Sequence, residues 1–387
     1  MLKTNDKEWE LKDGVLTIYD GEVFDIEWYH ELGYREELSC CKDIIKVVLP
    51  EGLKKIPHRI FENDCNLKDI NIPNSVGSID SHAFSGCESL KSITLPDNLK
   101  TIDENAFSWT GLKSITIPEN VEEIGYLAFT STGLKSVIIP ENVKEIGSGA
   151  FSNCQDLSKV IIKNNQLTTI PPSAFGECES LKEITIPESI KCIDSHAFGG
   201  CKSLEEITIP ESIEWISFKA FYLCKSLKEI TIPATAHCRI NASAFEDCVN
   251  LKKVILGAGV DVVEYDAFKN CKNLKRIDFA NDAPIIWHGT FDGVPDDAVI
   301  GYMGREINAK DLRELVVNIE KEGRFVTLSE ESTFQRLFPR PLFDDFPTVE
   351  EQVGYPVKLS EKEIDDFLAK KEKEKKPEKK KAVYRGR

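Results

Sequence analysis

No stretch of this 387-residue sequence approaches the roughly 18 consecutive apolar residues of a membrane-spanning helix. The opening run from Met1 to Glu8 has no apolar segment of the leader type, and no anchoring pattern stands near the end. The expectation is a cytoplasmic protein with no transmembrane span. Catalytic signatures are missing too. There is no glycine-rich phosphate loop, no HExxH and no GxSxG. No CxxC stands near a histidine pair, so zinc lacks its usual ligand spacing. The sequence therefore predicts no enzyme, no cofactor and no metal.

What is present is one unit, copied. Residues 180–201 read SLKEITIPESIKCIDSHAFGGC, and residues 203–224 repeat them as SLEEITIPESIEWISFKAFYLC. Landmark phenylalanines stand at Phe61, Phe84, Phe107, Phe129, Phe151, Phe175, Phe198, Phe221, Phe245, Phe268 and Phe291, always 22 to 24 residues apart. A period that steady over eleven copies marks a solenoid in the leucine-rich-repeat range. Within the unit, Ile184 and Ile186 alternate with Glu183 and Thr185, which predicts a short strand with one apolar face. Pro187 cannot donate to a ladder and stops it. Ile190 and Ile193 turn back into the same core, and Ala197 and Phe198 close the coil. One coil cannot bury its apolar side alone, whereas a stack of coils makes a continuous core.

The pattern L-x-x-I-T-I-P-x-x-V-x-x-I-x-x-x-A-F-x-x-C resembles the BspA-type leucine-rich-repeat family. Residues 9–18, Trp28 and the run from Ile45 to Leu53 are similar to the way such arrays open, and the resemblance covers roughly residues 9–300. It implies a right-handed solenoid that binds other molecules, usually without catalysis. Relatives of this kind are often secreted or surface-attached, and the cytoplasmic expectation here departs from that habit.

Twelve cysteines would suit a disulfide framework, but their placement argues otherwise. Cys87, Cys154, Cys178, Cys201, Cys224, Cys248 and Cys271 each fall three residues after a landmark phenylalanine, and Thr110 and Thr132 take that slot in the two 22-residue repeats. The slot wants a small, weakly polar side chain, and free cysteine supplies one. Charge is asymmetric as well. From residue 370 onward ten Lys/Arg against three Glu give +7, which leaves −23 for the rest of a chain totalling −16. An acidic body does not favour the solenoid as a nucleic-acid reader. The basic tail suits an acidic partner or surface.

Four segments follow in order. Residues 1–57 read as an N-terminal cap whose hairpin turns at Asp13-Gly14, with Cys40 and Cys41 in packing roles. Residues 58–304 hold about eleven repeats. Residues 305–359 read as a C-terminal cap. Asn308 caps a helix that stops at Gly323, a second helix covers residues 330–337, and Phe334, Leu337, Phe338, Leu342, Phe343 and Phe346 press against the open end of the last coil. Residues 360–387 read as a charged helix, opened by a capping box at Ser360, and a tail that projects from the array.

Binding surfaces are the functional candidates. The strand positions that face outward form two ladders, one running through Glu183, Glu206 and Glu229, the other through Thr185, Thr208 and Thr231. Three stacked glutamates repel, so flanking Lys182 and Lys228 or a basic partner must offset them. Threonine otherwise suits any half-exposed strand. In one coil Trp215, Phe218 and Tyr222 replace Cys192, Ser195 and Gly199, which predicts either an apolar interface bump or packing beneath the C-terminal segment. His82 and His196 share one repeat slot five coils apart and cannot form a common site. Asn241-Ala242-Ser243 fits a glycosylation acceptor, which means little without a secretory route. The functional expectation is a non-enzymatic scaffold for a protein partner. The alternative is a surface adhesin for host protein or glycan.

Overall fold

The computed structural model describes residues 2–3, 9–19, 44–163, 165–233, 238–280, 285–287, 289–302, 304–321, 357–358 and 361–375. The expectations for Trp28, for Cys40 and Cys41, for a helix over 330–337, for the phenylalanines between 334 and 346 and for the tail beyond 375 lie outside the described residues.

The repeat folds as a parallel solenoid with two strand-bearing sides. On the front, the I-T-I segments pair in register: Ser136–Ile139 with Lys159–Ile162 and then Glu183–Thr185. Further along, Glu229–Ile232, Lys253–Leu256, Arg276–Phe279 and Val299–Tyr302 continue the pattern. On the back, the two-residue segments around the second isoleucine form a second parallel sheet. It runs from Lys55–Ile56 through Ser78–Ile79, Thr101–Ile102 and Glu123–Ile124 to Glu145–Ile146. It resumes at Thr169–Ile170, within the first 24-residue repeat, and in the second such repeat the register shifts between Cys238 and Arg239. Sequence periodicity suggested only a turn here, because two residues show no alternation of their own.

Between the sheets the landmark phenylalanines stack as one column. Neighbouring rings from Phe61 to Phe291 lie 5.1–6.3 Å apart and within 20° of parallel. Each ring is at most 3% exposed, and burying one contributes about 2 kcal/mol. The turn that presents each ring carries two left-handed residues, two before and two after the phenylalanine. His82, His196 and Lys219 take the first slot and Asn63, Trp109 and Leu223 the second, with φ between 54° and 65°. Such backbone costs about 1 kcal/mol per non-glycine residue. Inter-coil hydrogen bonds offset it: His82 donates to the Glu104 carbonyl at 2.8 Å, and Phe84 to that of Ala106 at 2.8 Å.

The cysteine slot now has its chemistry. Each ladder thiol donates to the carbonyl of a phenylalanine in the neighbouring coil: Cys87 to Phe61 at 3.1 Å, Cys178 to Phe151 at 3.1 Å, Cys201 to Phe175 at 3.2 Å, and Cys271 to Phe245 at 3.3 Å. Thr110 supplies the same donor to its own Phe107 carbonyl at 2.9 Å. Its coil is one residue short because Thr110-Gly111-Leu112 replaces the usual four residues from slot to leucine. A Cβ on Gly111 would stand 2.1 Å from the Glu88 carbonyl oxygen, so only glycine fits that shortcut.

Both ends are capped. The hairpin Trp9–Lys12 and Val15–Ile18 turns at Asp13 and Gly14, with φ of 51° and 81°, and Val15–Ile18 then pairs in parallel with Lys46–Val48 to begin the front sheet. At the other end Arg305–Asn308 turns back antiparallel on Val299–Tyr302, and the Asn308 side chain accepts from the Asp311 N–H at 2.7 Å to open helix α1, Ala309–Lys321. Leu312, Leu315, Val316 and Ile319 bury its inner face. Arg313 Nη1 donates to the carbonyls of Phe291 at 3.0 Å and Val294 at 3.2 Å, which the missing next coil would otherwise have left bare.

One expectation is corrected here. The charged helix α2, Glu361–Lys375, packs on the cap and does not project. Ile364 is fully buried and Phe367 nearly so. Arg305 Nη2 donates to Asp365 at 2.9 Å, and Lys371 binds Glu314 at 2.8 Å. Just before α2, Val357–Lys358 adds an antiparallel strand to Ile285–Ile286 of the back sheet. No helix among the described residues is long and apolar enough to cross a membrane.

Candidate partner-binding faces

The front sheet presents its outward ladders much as periodicity dictates, since alternate side chains of a strand face opposite ways. Glu183, Thr185, Glu206, Thr208, Glu229 and Thr231 are all exposed. Their mutual geometry is less uniform. Glu183 stands in register with Lys159 and accepts from its ammonium at 2.7 Å, which holds the Glu183 carboxyl below its ordinary range. Glu229 stands in register with Lys253. Glu206 belongs to no strand, because front-sheet pairing lapses between Glu183–Thr185 and Glu229–Ile232. The back sheet continues through the same coils, where Cys192 pairs with Trp215. The three glutamates are therefore flanked by lysine at both ends and interrupted in the middle. Lys228 binds Glu205 of the preceding coil, and Lys182 also draws that carboxyl down. Beside this lapse an open polar cavity of about 270 Å³ is lined by Glu205, Ser226, Lys228, Asn250 and Lys252.

The aromatic coil is a clasp, with Trp215, Phe218 and Tyr222 all half-buried. Trp215 sits in the back sheet between Cys192 and Arg239. The Phe218 ring meets His196 of the preceding coil edge-on at 5.6 Å. Lys219 Nζ lies 5.1 Å from the Phe218 ring centre and 4.7 Å from that of Tyr222, a cation–π arrangement. Within the repeats the more exposed aromatics are Trp109 at 62% and Tyr126 at 50%, and Tyr19 of the N-terminal cap is 54% exposed. Trp109 occupies the left-handed slot after a phenylalanine, where neighbouring coils carry Gly86 and Ser131. Among the eleven residues of that slot Trp109 is the one aromatic, which is the signal legible in the sequence.

His82 and His196 are left-handed turn residues, and burial lowers the basicity of both. Burial pushes the half-exposed Cys192 thiol up to about 11 and Cys238 up to about 12, so neither is a thiolate at neutral pH. No group of three or more metal-ligating side chains is assembled among the described residues. Periodicity also passed over Asp64, which takes the cysteine slot in the first coil and is buried, with its carboxyl pushed up to about 7.

The BspA type leucine rich repeat region matches this chain in six copies, over residues 35–158 and 144–275. A leucine-rich repeat protein from Bacteroides ovatus ATCC 8483 is similar in structure, with 28% identity and a TM-score of 0.51 over 65% of this chain and 67% of that one. A leucine rich cell surface protein from Faecalibacterium prausnitzii A2-165 matches at 25% identity and a TM-score of 0.44, over 71% of this chain and 86% of its own. A leucine-rich repeat protein from Eubacterium ventriosum ATCC 27560 matches at 24% identity and a TM-score of 0.41, over 74% and 92%. Comparison with curated proteins produced no match. Six matching copies that span more than half of the sequence, on a stacked parallel solenoid, place the chain in the BspA-type leucine-rich-repeat family.

Proposed function

We propose that the chain is a non-catalytic scaffold that binds a protein partner along its front sheet. One observation carries the reading. Outward rows such as Glu229, Lys253 and Arg276, and beside them Thr231, Ile255 and Asp278, are held in register by continuous parallel pairing. A regular, solvent-accessible face of mixed polar and aliphatic rows, exposed at Glu229 and Thr231 and half-buried further along, suits a macromolecular surface, whereas small ligands want an enclosed, mostly apolar pocket. The test is a pull-down from native lysate, read by mass spectrometry, with the parent array and a Glu183→Lys, Glu206→Lys, Glu229→Lys variant as baits. The parent should enrich a partner, and the variant should hold it more weakly and with less salt dependence. A parent bait that enriches nothing beyond a blank resin overturns the scaffold reading.

The same proposal places the chain in a reducing compartment. The ladder thiols act as hydrogen-bond donors, and oxidation would remove those hydrogens. Denatured protein purified without reductant should react with a thiol reagent at nearly all twelve cysteines. Several bridged pairs would argue for an oxidising one instead.

A further inference from the structure

We propose that the lysine–serine strip on the front of the early coils docks an extended acidic peptide segment of the partner. The inference rests on the scaffold reading and names the chemistry of what is bound. Three consecutive coils repeat Leu-Lys-Ser at 90–92, 112–114 and 134–136, and Lys68 precedes them in the same slot. Lys68, Lys91, Lys113, Lys135 and the three serines are all exposed. The coils there stack at the 5.2–5.4 Å spacing of their phenylalanine rings, so four ammonium stems share one edge.

The middle of the same face treats its charges differently. There Lys159 binds Glu183 and Lys228 binds Glu205, each across one coil. The strip has little of this. Asp69 beside Lys68 is bound by Lys46 at 2.7 Å. Lys91 reaches the Glu88 backbone carbonyl, and Lys113 reaches Asp156 at 3.0 Å. Lys68 and Lys135 make no ion pair among the described residues. Like charges on adjacent rungs are unfavourable, and serine hydroxyls beside them add donors and no countercharge. Carboxylates laid over the strip would supply it.

A peptide fits this face better than other polyanions. No aromatic residue stands in the outward ladders of these coils to stack a base or a sugar. The adjoining ladder instead offers Thr94, Thr116 and Ile138, the last 46% exposed, for aliphatic side chains. A net charge of −16 also repels a dense polyanion more strongly than a short peptide.

The test is fluorescence anisotropy on the full chain with a fluorescein-labelled peptide of alternating glutamate and isoleucine. The parent should bind it. The Lys68→Glu, Lys91→Glu, Lys135→Glu variant should bind about tenfold or more weakly, while Lys252→Glu, Lys275→Glu on the same face should bind as the parent does. A sulfated glycan and a single-stranded oligonucleotide of equal charge should compete poorly. The strip is overturned if the triple variant binds like the parent, if the control pair loses as much, or if either polyanion outcompetes the peptide. Should the peptide fail while the lysate partner is still captured, the strip falls and the scaffold reading stands.

Discussion

The thiol of Cys224 donates to the carbonyl oxygen of Phe198, 3.2 Å away in the preceding coil. The bond accounts for cysteine and threonine in the nine inner coils, since both side chains are small and both can donate; only the two end coils differ, with Asp64 in the first and Val294 in the last. Valine and threonine at this position have the same shape and differ only in the donor. Cys224→Thr should therefore exceed Cys224→Val in stability by about 1 kcal/mol in urea denaturation, the net contribution of one buried hydrogen bond. Equal midpoints would make the slot a matter of volume alone.

Arg313 ends the ladder by donating to the Phe291 and Val294 carbonyls and binding Asp296. Arg313→Met keeps the stem and removes the donors. It should lower stability by about 2 kcal/mol, as expected when charged donors leave carbonyls unpaired. Hydrogen exchange should speed up first at 289–302, since that coil loses its cover. Uniform exchange rates along the array would show that α1 caps by apolar packing alone.

Glu264 is 8% exposed and accepts from the Ala242 N–H at 3.0 Å. Burial pushes its carboxyl up to about 7 from an ordinary 4.5. A carboxyl raised on folding favours the native state fully only below its unfolded value. The stability it allows is lost as pH rises from about 4.5 through 7. Glu264→Gln keeps the acceptor without the charge, so at pH 8 it should be more stable than the parent by about 2–3 kcal/mol. That difference should shrink to nothing near pH 4.5. A difference that is constant across this window would mean the carboxyl titrates normally.

A chain that stops at residue 359 loses α2, with buried Ile364 and Phe367 and the Arg305–Asp365 pair. Two large apolar side chains returned to water amount to about 3 kcal/mol, so the melting temperature should fall measurably. An unchanged melting curve would mean that α2 merely rests on the cap.

The repeat length, the phenylalanine column, the cysteine slot and the outward ladders are all legible in the sequence. Each follows from the side-chain pattern within one unit, and stacking copies that pattern unchanged. Gly111, Thr110 and the 22-residue spacing belong to the same class, because a shortened turn leaves its mark in chain length. Other features depend on how coils meet. Whether Glu206 pairs with its neighbours is not written in its own sequence, since Glu-Glu-Ile-Thr-Ile closely matches the Lys-Glu-Ile-Thr-Ile of units that do form strands. The partner of each thiol, the half-burial of Trp215 and the exposure of Trp109 likewise turn on which residue lies one coil away. Helix α2 shows the limit most clearly. Ile364, Phe367 and Leu368 mark an apolar stripe in any reading, but a stripe names no target. The target was set by α1 and by the free edge at Ile285–Ile286, which exist only once the solenoid has ended.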